Sequence, residues 1–278
     1  MKNIWVPLSG QIAQQRKVET IANNIANANT AGFKKDQLVF KEHLTALSDK
    51  GGEVIDLPRK EWKPDDFYRS QGAENAFVKV DGSYINFEQG SMTPTNNPFD
   101  LALFGKGFFE VSTPTGVRYT RKGNFNLSKD GELVTAQGFK LLLEQKDKVQ
   151  ATDNLADENA INERVVKLPP GSKISISKDG SLFSKEGLIG RLSVVEFKDP
   201  QALRKQGHSL YINNATDNIS RLNLKTRVNQ GFIEGSNVNA IQEMSELITA
   251  HRHFENIQKA INNYDTLAGR IVNDIADF

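Results

Sequence analysis

The sequence predicts an α+β protein: long N- and C-terminal helices forming a coiled-coil-like layer, with a central β-rich domain. Three observations carry this expectation. From Ser236 to Phe278, side chains at Met244, Leu247, His251, Phe254, Ile257, Ile261, Tyr264, Ala268, Ile271, Ile275 and Phe278 recur at steps of three or four residues, the period of one helix face. At the opposite end Ile4, Leu8, Ile12, Val18, Ile21, Ala22 and Ile25 repeat at helical spacing, with Gln15 interrupting the stripe. Between the ends, the turn sequence Ser128-Lys129-Asp130-Gly131 returns as Ser177-Lys178-Asp179-Gly180, each copy preceded by alternating apolar residues. Asp-Gly supplies the positive φ of a tight hairpin.

Taken in order, residues 1–35 form an N-terminal helical segment. Asn23, Asn24, Asn27 and Asn29 weaken it by competing for backbone groups, and Thr30-Ala31-Gly32 stop it. Residues 36–71 read as an extended connector broken by Gly51-Gly52, Pro58 and Pro64, with a short helix near Gln37 to Leu47. Residues 72–231 read as the β-rich domain. Its strand candidates are Phe77–Val80 with a turn at Asp81-Gly82, Tyr84–Phe87, Phe99–Leu103, Phe108–Val111, Val117–Thr120, Arg191–Phe197 and Leu222–Val228. Glu144 to Arg164 is polar and charged and reads as a loop or a poorly ordered insertion, and Asp199-Pro200 starts a turn or short helix. Residues 232–278 hold the C-terminal helix, with Ser236 or Asn237 as its cap and Glu243 and Glu246 near its positive end.

Composition excludes several classes of function. With 35 basic against 34 acidic residues, the net charge of +1 offers no general attraction to nucleic acid or acidic membrane. Basic pairs such as Lys34-Lys35 read as solvated surface. The absence of cysteine removes disulfides, thiolate catalysis and cysteine-bound metals. No run approaches the 18 apolar residues of a membrane helix, and Pro7, Ser9 and Gly10 break the N-terminus short of a secretory signal.

No catalytic, metal or cofactor site emerges. His251 and His253 are two residues apart and diverge on a helix, so they cannot chelate one ion. Gly105-Lys106-Gly107 resembles the start of a dinucleotide loop, but Glu110 stands at the third glycine position and no helix follows; a turn or bulge fits it. The Asp-Gly aspartates lack the alternating ligands of a calcium loop. Trp5 suits intramolecular packing and subunit contact equally well.

Both ends resemble the bacterial flagellar axial proteins, the rod, hook and hook-associated proteins. The N-terminal resemblance is Leu8-Ser9-Gly10 and the run Ala22-Asn23-Asn24-Ile25-Ala26-Asn27-Ala28-Asn29-Thr30-Ala31-Gly32-Phe33-Lys34; the C-terminal one is Glu234-Gly235-Ser236-Asn237-Val238-Asn239. Glu88-Gln89-Gly90-Ser91, Asn97-Pro98-Phe99-Asp100, Gly105-Lys106-Gly107-Phe108-Phe109 and Tyr119-Thr120-Arg121-Lys122-Gly123 extend it through the middle. Size and these segments resemble a basal-body rod protein, and Leu267–Asn273 favours the proximal over the distal type. The resemblance implies a non-enzymatic subunit of a periplasmic rod, without cofactors. Such a subunit is exported by the flagellar type III apparatus without a cleaved signal. It polymerises with copies of itself and with other rod or hook proteins into a stiff tube that transmits torque around an export channel. The implied subunit interface comprises Trp5, Leu8, Ile12, Ile21, Ile25, Met244, Leu247, Phe254, Ile261, Tyr264, Ile271 and Ile275. A carbohydrate-binding or enzymatic β domain on helical anchors, or an unrelated coiled-coil oligomer, are the competing readings.

Overall fold

The computed structural model describes residues 5–46, 74–144, 158–168, 174–185, 187–220 and 225–276. Ile4, Phe278 and most of the expected connector lie outside them, as do the side chains of His43, Ala268, Ile271 and Ile275. The chain is α+β and divides into two compact units. One comprises Met1–Ile25, Asp36–Tyr84 and Ala240–Phe278; the other comprises Ala26–Lys35 and Ile85–Asn239.

The first unit holds two long helices and a ribbon. Helix α1 (Trp5–Ala26) has 22 residues. It ends where Asn27 takes over, its carbonyl accepting from Thr30 N (3.1 Å) and its side-chain oxygen from the Thr30 hydroxyl (3.1 Å). Strands β1 (Asp36–Ala46) and β2 (Glu74–Ile85) pair as a two-stranded sheet. Two sequence expectations fail here. The short helix near Gln37 to Leu47 is strand β1, and Asp81-Gly82 lies inside β2 rather than in a turn. Gly82 has no positive φ, so the long pairing with β1 overrides the local turn preference.

The second unit is built on a nine-stranded sheet. After β3 (Met92–Pro94) and β4 (Leu101–Phe104), β5 (Phe108–Thr113) and β6 (Gly116–Thr120) form its central hairpin. Strands β7 (Asn126–Leu127), β8 (Leu133–Val134) and β9 (Lys140–Leu141) extend one side. The Glu144 to Arg164 segment, expected to be a loop, contains the short helix α2 (Glu158–Glu163). Strands β10 (Ser175–Ile176), β11 (Ser181–Ser184) and β12 (Gly187–Arg191) make a separate three-stranded sheet. Then β13 (Val194–Phe197) pairs with β5, while β14 (Arg204–Gly207) and β15 (Leu210–Ile212) complete the far side. Strand β16 (Ile219–Ser220) pairs with β13; β17 (Arg227–Gln230) returns along β4, and β18 (Phe232–Glu234) along β3. A 3₁₀ turn at Pro200–Ala202 follows Asp199, whose carboxylate accepts from Gln201 N at 2.9 Å.

Alternation along β5 divides the core. Phe109 joins Leu101, Leu103, Leu133, Leu141 and Leu182 in one cluster. Phe108 joins Val195, Phe197 and Tyr211 in the other, making edge-to-face contacts with Phe197 at 5.3 Å and Tyr211 at 5.6 Å. The duplicated turns match bond for bond. Gly131 N donates to Ser128 O (3.0 Å) and Ser128 N to Glu132 O (2.8 Å); Gly180 N donates to Ser177 O (2.9 Å) and Ser177 N to Ser181 O (2.9 Å). Gly131 and Gly180 hold φ of 76° and 86°, so both Asp-Gly pairs turn the chain as expected.

The C-terminal helix α3 (Ala240–Ala276) has 37 residues, which at 1.5 Å per residue makes it about 55 Å long.

Candidate assembly site

In the β unit, motif segments distant in sequence meet at one buried carboxylate. Glu234 ends strand β18, and its side chain is wholly buried. One carboxylate oxygen accepts from Lys34 Nζ at 2.7 Å and from Gly90 N at 3.1 Å; the other accepts from Arg121 at 3.3 Å. Lys34 also donates to Glu88 O (2.6 Å), and Arg121 to Gly105 O (2.6 Å) while lying 4.9 Å over the Phe108 ring. Lys34 was expected on solvated surface, yet it is fully buried. Its partner is 200 residues away, beyond the reach of any local pattern. Burial pushes both cations below their usual pKa values, and Glu234 opposes the shift in each case.

Backbone geometry makes this junction intolerant of side chains. Gly32 sits at φ 66°, donates to Glu234 O at 2.8 Å, and a Cβ there would stand 2.5 Å from Lys122 N. Phe33 follows, its ring under Lys205 Nζ at 4.3 Å, and that ammonium also donates to Lys34 O (2.6 Å). Gly90 and Gly235 pass so closely that a Cβ on Gly90 would meet Gly235 O. Asn237, expected as a helix cap, instead accepts from Lys35 N (2.8 Å) and donates to Asn86 O (2.8 Å). Ser236 accepts from Val238 N at 3.2 Å, two residues short of α3. The motif residues Gly32, Phe33, Glu234, Gly235 and Asn237 therefore tie the two ends of the β unit together.

The helical unit has its own polar anchors. Asn24 is 1% exposed; it donates to Asp36 O (2.9 Å) and Glu243 (3.2 Å) and accepts from Asp36 N (3.0 Å). Asn23 is exposed. Ser9, which sequence reasoning did not single out as functional, accepts from Val78 N at 3.1 Å and so fastens the ribbon to α1.

The two helices show different faces. Buried or half-buried positions on α3 include Glu243, Glu246, Leu247, Ala250, Phe254, Ile257, Gln258 and Ile261; on α1 they include Gly10, Ala13, Gln14 and Ile21. Outside that seam a second apolar set is uncovered: Ile241 is 77% exposed, Ile248 56%, Tyr264 56%, Leu267 54% and Met244 47%, with Trp5 at 61% and Ile12 at 54% on α1. The expected interface set is thus divided. Trp5, Ile12, Met244 and Tyr264 are exposed; Leu8, Ile25, Leu247, Phe254 and Ile261 are half-buried; Ile21 is core. Ile241 and Ile248 were missed because they stand beside the chosen stripe, on an adjoining face.

Comparison with known proteins gives this geometry its context. Residues 6–34 match the flagella basal body rod protein family, residues 102–184 the flagellar hook protein FlgE/F/G D1 domain, and residues 229–274 the flagellar basal body rod FlgEFG protein C-terminal family. The flagellar basal-body rod protein FlgF of Caulobacter vibrioides is 31% identical over 260 residues, 94% of this chain and 92% of that protein. The chain belongs to the flagellar basal-body rod protein family. It is similar to the same degree to the flagellar basal-body rod protein FlgG of Borreliella burgdorferi, 31% identical with 97% of each chain covered, and 29% identical to that of Bacillus subtilis. Membership makes this a structural subunit of the flagellar basal body that assembles with rod and hook proteins. FlgF and FlgG relatives match alike, so the comparison does not distinguish proximal from distal type.

Proposed function

We propose that this rod subunit polymerises through its terminal helices into the wall of a stiff periplasmic tube. In this reading α1 and α3 form a coiled-coil-like layer around an export channel. The tube-forming core is drawn from residues 1–35 and 232–278, with 36–71 as connector and 72–231 as the outer β domain. The observation that carries it is the set of large apolar side chains left exposed on α3, Ile241, Met244, Ile248, Tyr264 and Leu267, with Trp5 and Ile12 on α1. Exposed apolar residues in such number mark an interaction surface, and each large side chain fully buried in a contact contributes about 1.5–3 kcal/mol. Contact between different faces of successive copies propagates a filament when its rotation does not close a ring, and such a filament resists twisting as the motor turns. Export through the type III apparatus rests on the resemblance to the flagellar axial proteins. The proximal position rests on Leu267–Asn273.

Ile248→Asp places a charge among these exposed residues without touching the seam. It should leave the circular dichroism spectrum of the subunit intact and abolish incorporation into rods. Leu188→Asp, on the exposed β12 position of the β unit, should incorporate normally. Normal assembly of the Ile248→Asp chain would remove the proposal's support.

A further inference from the structure

The seam between α1 and α3 has an unexpected composition. On α3 the covered positions Leu247, Ala250, Phe254, Ile257 and Ile261 follow one another at steps of three and four. Such a line is nearly self-similar under a one-turn slide of about 5.4 Å, so apolar burial alone selects the register of a partner helix only weakly. The α1 side supplies what the line lacks. Gly10 brings its backbone against Ile257, with 3.9 Å from its Cβ position to Ile257 Cδ1. The Gln11 amide donates to Gln258 Oε1, and Gln14 donates to the Ala250 carbonyl at 3.0 Å. Asn24 meets Glu243 at 3.2 Å, with both side chains 1% exposed. Rising numbers on α1 meet falling numbers on α3, so the helices run antiparallel.

We infer that Gln11, with Asn24 at one end, is a positioning residue that fixes the register of α1 on α3. A one-turn slide leaves the apolar line covered and offers Gln14 another backbone carbonyl, but it strips Gln11 of the Gln258 side chain and the buried Asn24 of Glu243. Polar side chains within an apolar seam specify register in this way in coiled coils, at some cost in stability. The inference concerns the same helices as the proposed tube-forming layer, but it is a property of the single chain and holds whether or not rods form.

The cysteine-free sequence permits a direct test by disulfide mapping on the purified 278-residue chain. Gly10→Cys with Ile257→Cys reports the observed register. Gly10→Cys with Phe254→Cys, or with Ile261→Cys, reports a slide of one turn either way, because a disulfide forms only across a short Cα separation. In the otherwise native chain the 10–257 pair should oxidise and the displaced pairs should not. Adding Gln11→Leu should raise the displaced products about five-fold, as expected for the loss of one amide hydrogen bond. The thermal midpoint should stay level or rise. Unchanged disulfide yields in that variant, or displaced products already abundant in the native background, would overturn the inference. Should that variant unfold, Gln11→Ala is read in the same way, with no rise again overturning the inference. Rod incorporation is scored separately, so failure of assembly is not mistaken for failure of register.

Discussion

Glu234→Gln is the most demanding perturbation of the β unit. It keeps the side-chain volume and removes the single charge that faces both Lys34 and Arg121. The exposed fractions of the three side chains are 0%, 0% and 2%, so water cannot replace what is lost. Removing one member of a buried ion pair costs about 3–5 kcal/mol, because the remaining charge stays desolvated. Lys34 retains Glu88 O and Arg121 retains Gly105 O, so the cost should not double with two cations. A loss of about 4 kcal/mol is expected, a large share of the 5–15 kcal/mol that holds a typical domain together. Lys34→Met leaves Glu234 bonded to Arg121 and Gly90 N, and should cost about 2 kcal/mol. Replacing all three charges together, as Lys34→Met, Arg121→Met and Glu234→Leu, should recover most of the loss, since well-packed apolar groups often match a buried ion cluster. The assay is urea unfolding, with amide exchange of Leu101, Leu133 and Leu141 as the local readout of the β core. A Glu234→Gln loss below about 1 kcal/mol would refute the claim that this carboxylate ties the ends of the unit together.

Gly32→Ala combines a positive φ with a Cβ 2.5 Å from Lys122 N; it should destabilise the β unit by about 3 kcal/mol or more, measured by the same unfolding series. Asn24→Ala strips Asp36 N of its acceptor and Glu243 of a donor. It should cost about 2 kcal/mol and speed amide exchange at Asp36 while leaving Leu141 protected. The folded pKa of Lys34 is lowered from 10.5 by burial. Between that lowered value and 10.5 the unfolded chain therefore binds more protons, and stability should rise with pH relative to Lys34→Met. A difference that falls across this alkaline window would contradict the assigned direction.

Much of the architecture is readable from short-range pattern. The three-and-four spacing in α3 and the asparagines that end α1 are local properties, and so are the Asp-Gly turns at Gly131 and Gly180. Asp81-Gly82 shows the limit of that logic: the same dipeptide lies flat in β2 because β1 pairs beside it. Gln37 to Leu47 was misassigned for the same reason. Lys34 was hidden because its chemistry depends on Glu234 and Arg121, which no window around Lys34 contains. On α1 the apolar stripe points to Ile12, which is exposed, whereas the structure covers Gly10 and Ala13, where small residues allow close helix approach. The exposed Ile241 and Ile248 escaped notice because α3 carries apolar residues on two adjacent faces, and periodicity alone does not say which face is already covered.

Where the exposed apolar residues of α3 go in the assembled rod decides whether the terminal helices hold it together. A density map of rods containing this chain, resolved to side chains, would show it. Ile241, Met244, Ile248, Tyr264 and Leu267, together with Trp5 and Ile12, should lie against neighbouring subunits. A map in which these side chains face solvent while neighbours meet only through β units would contradict the account.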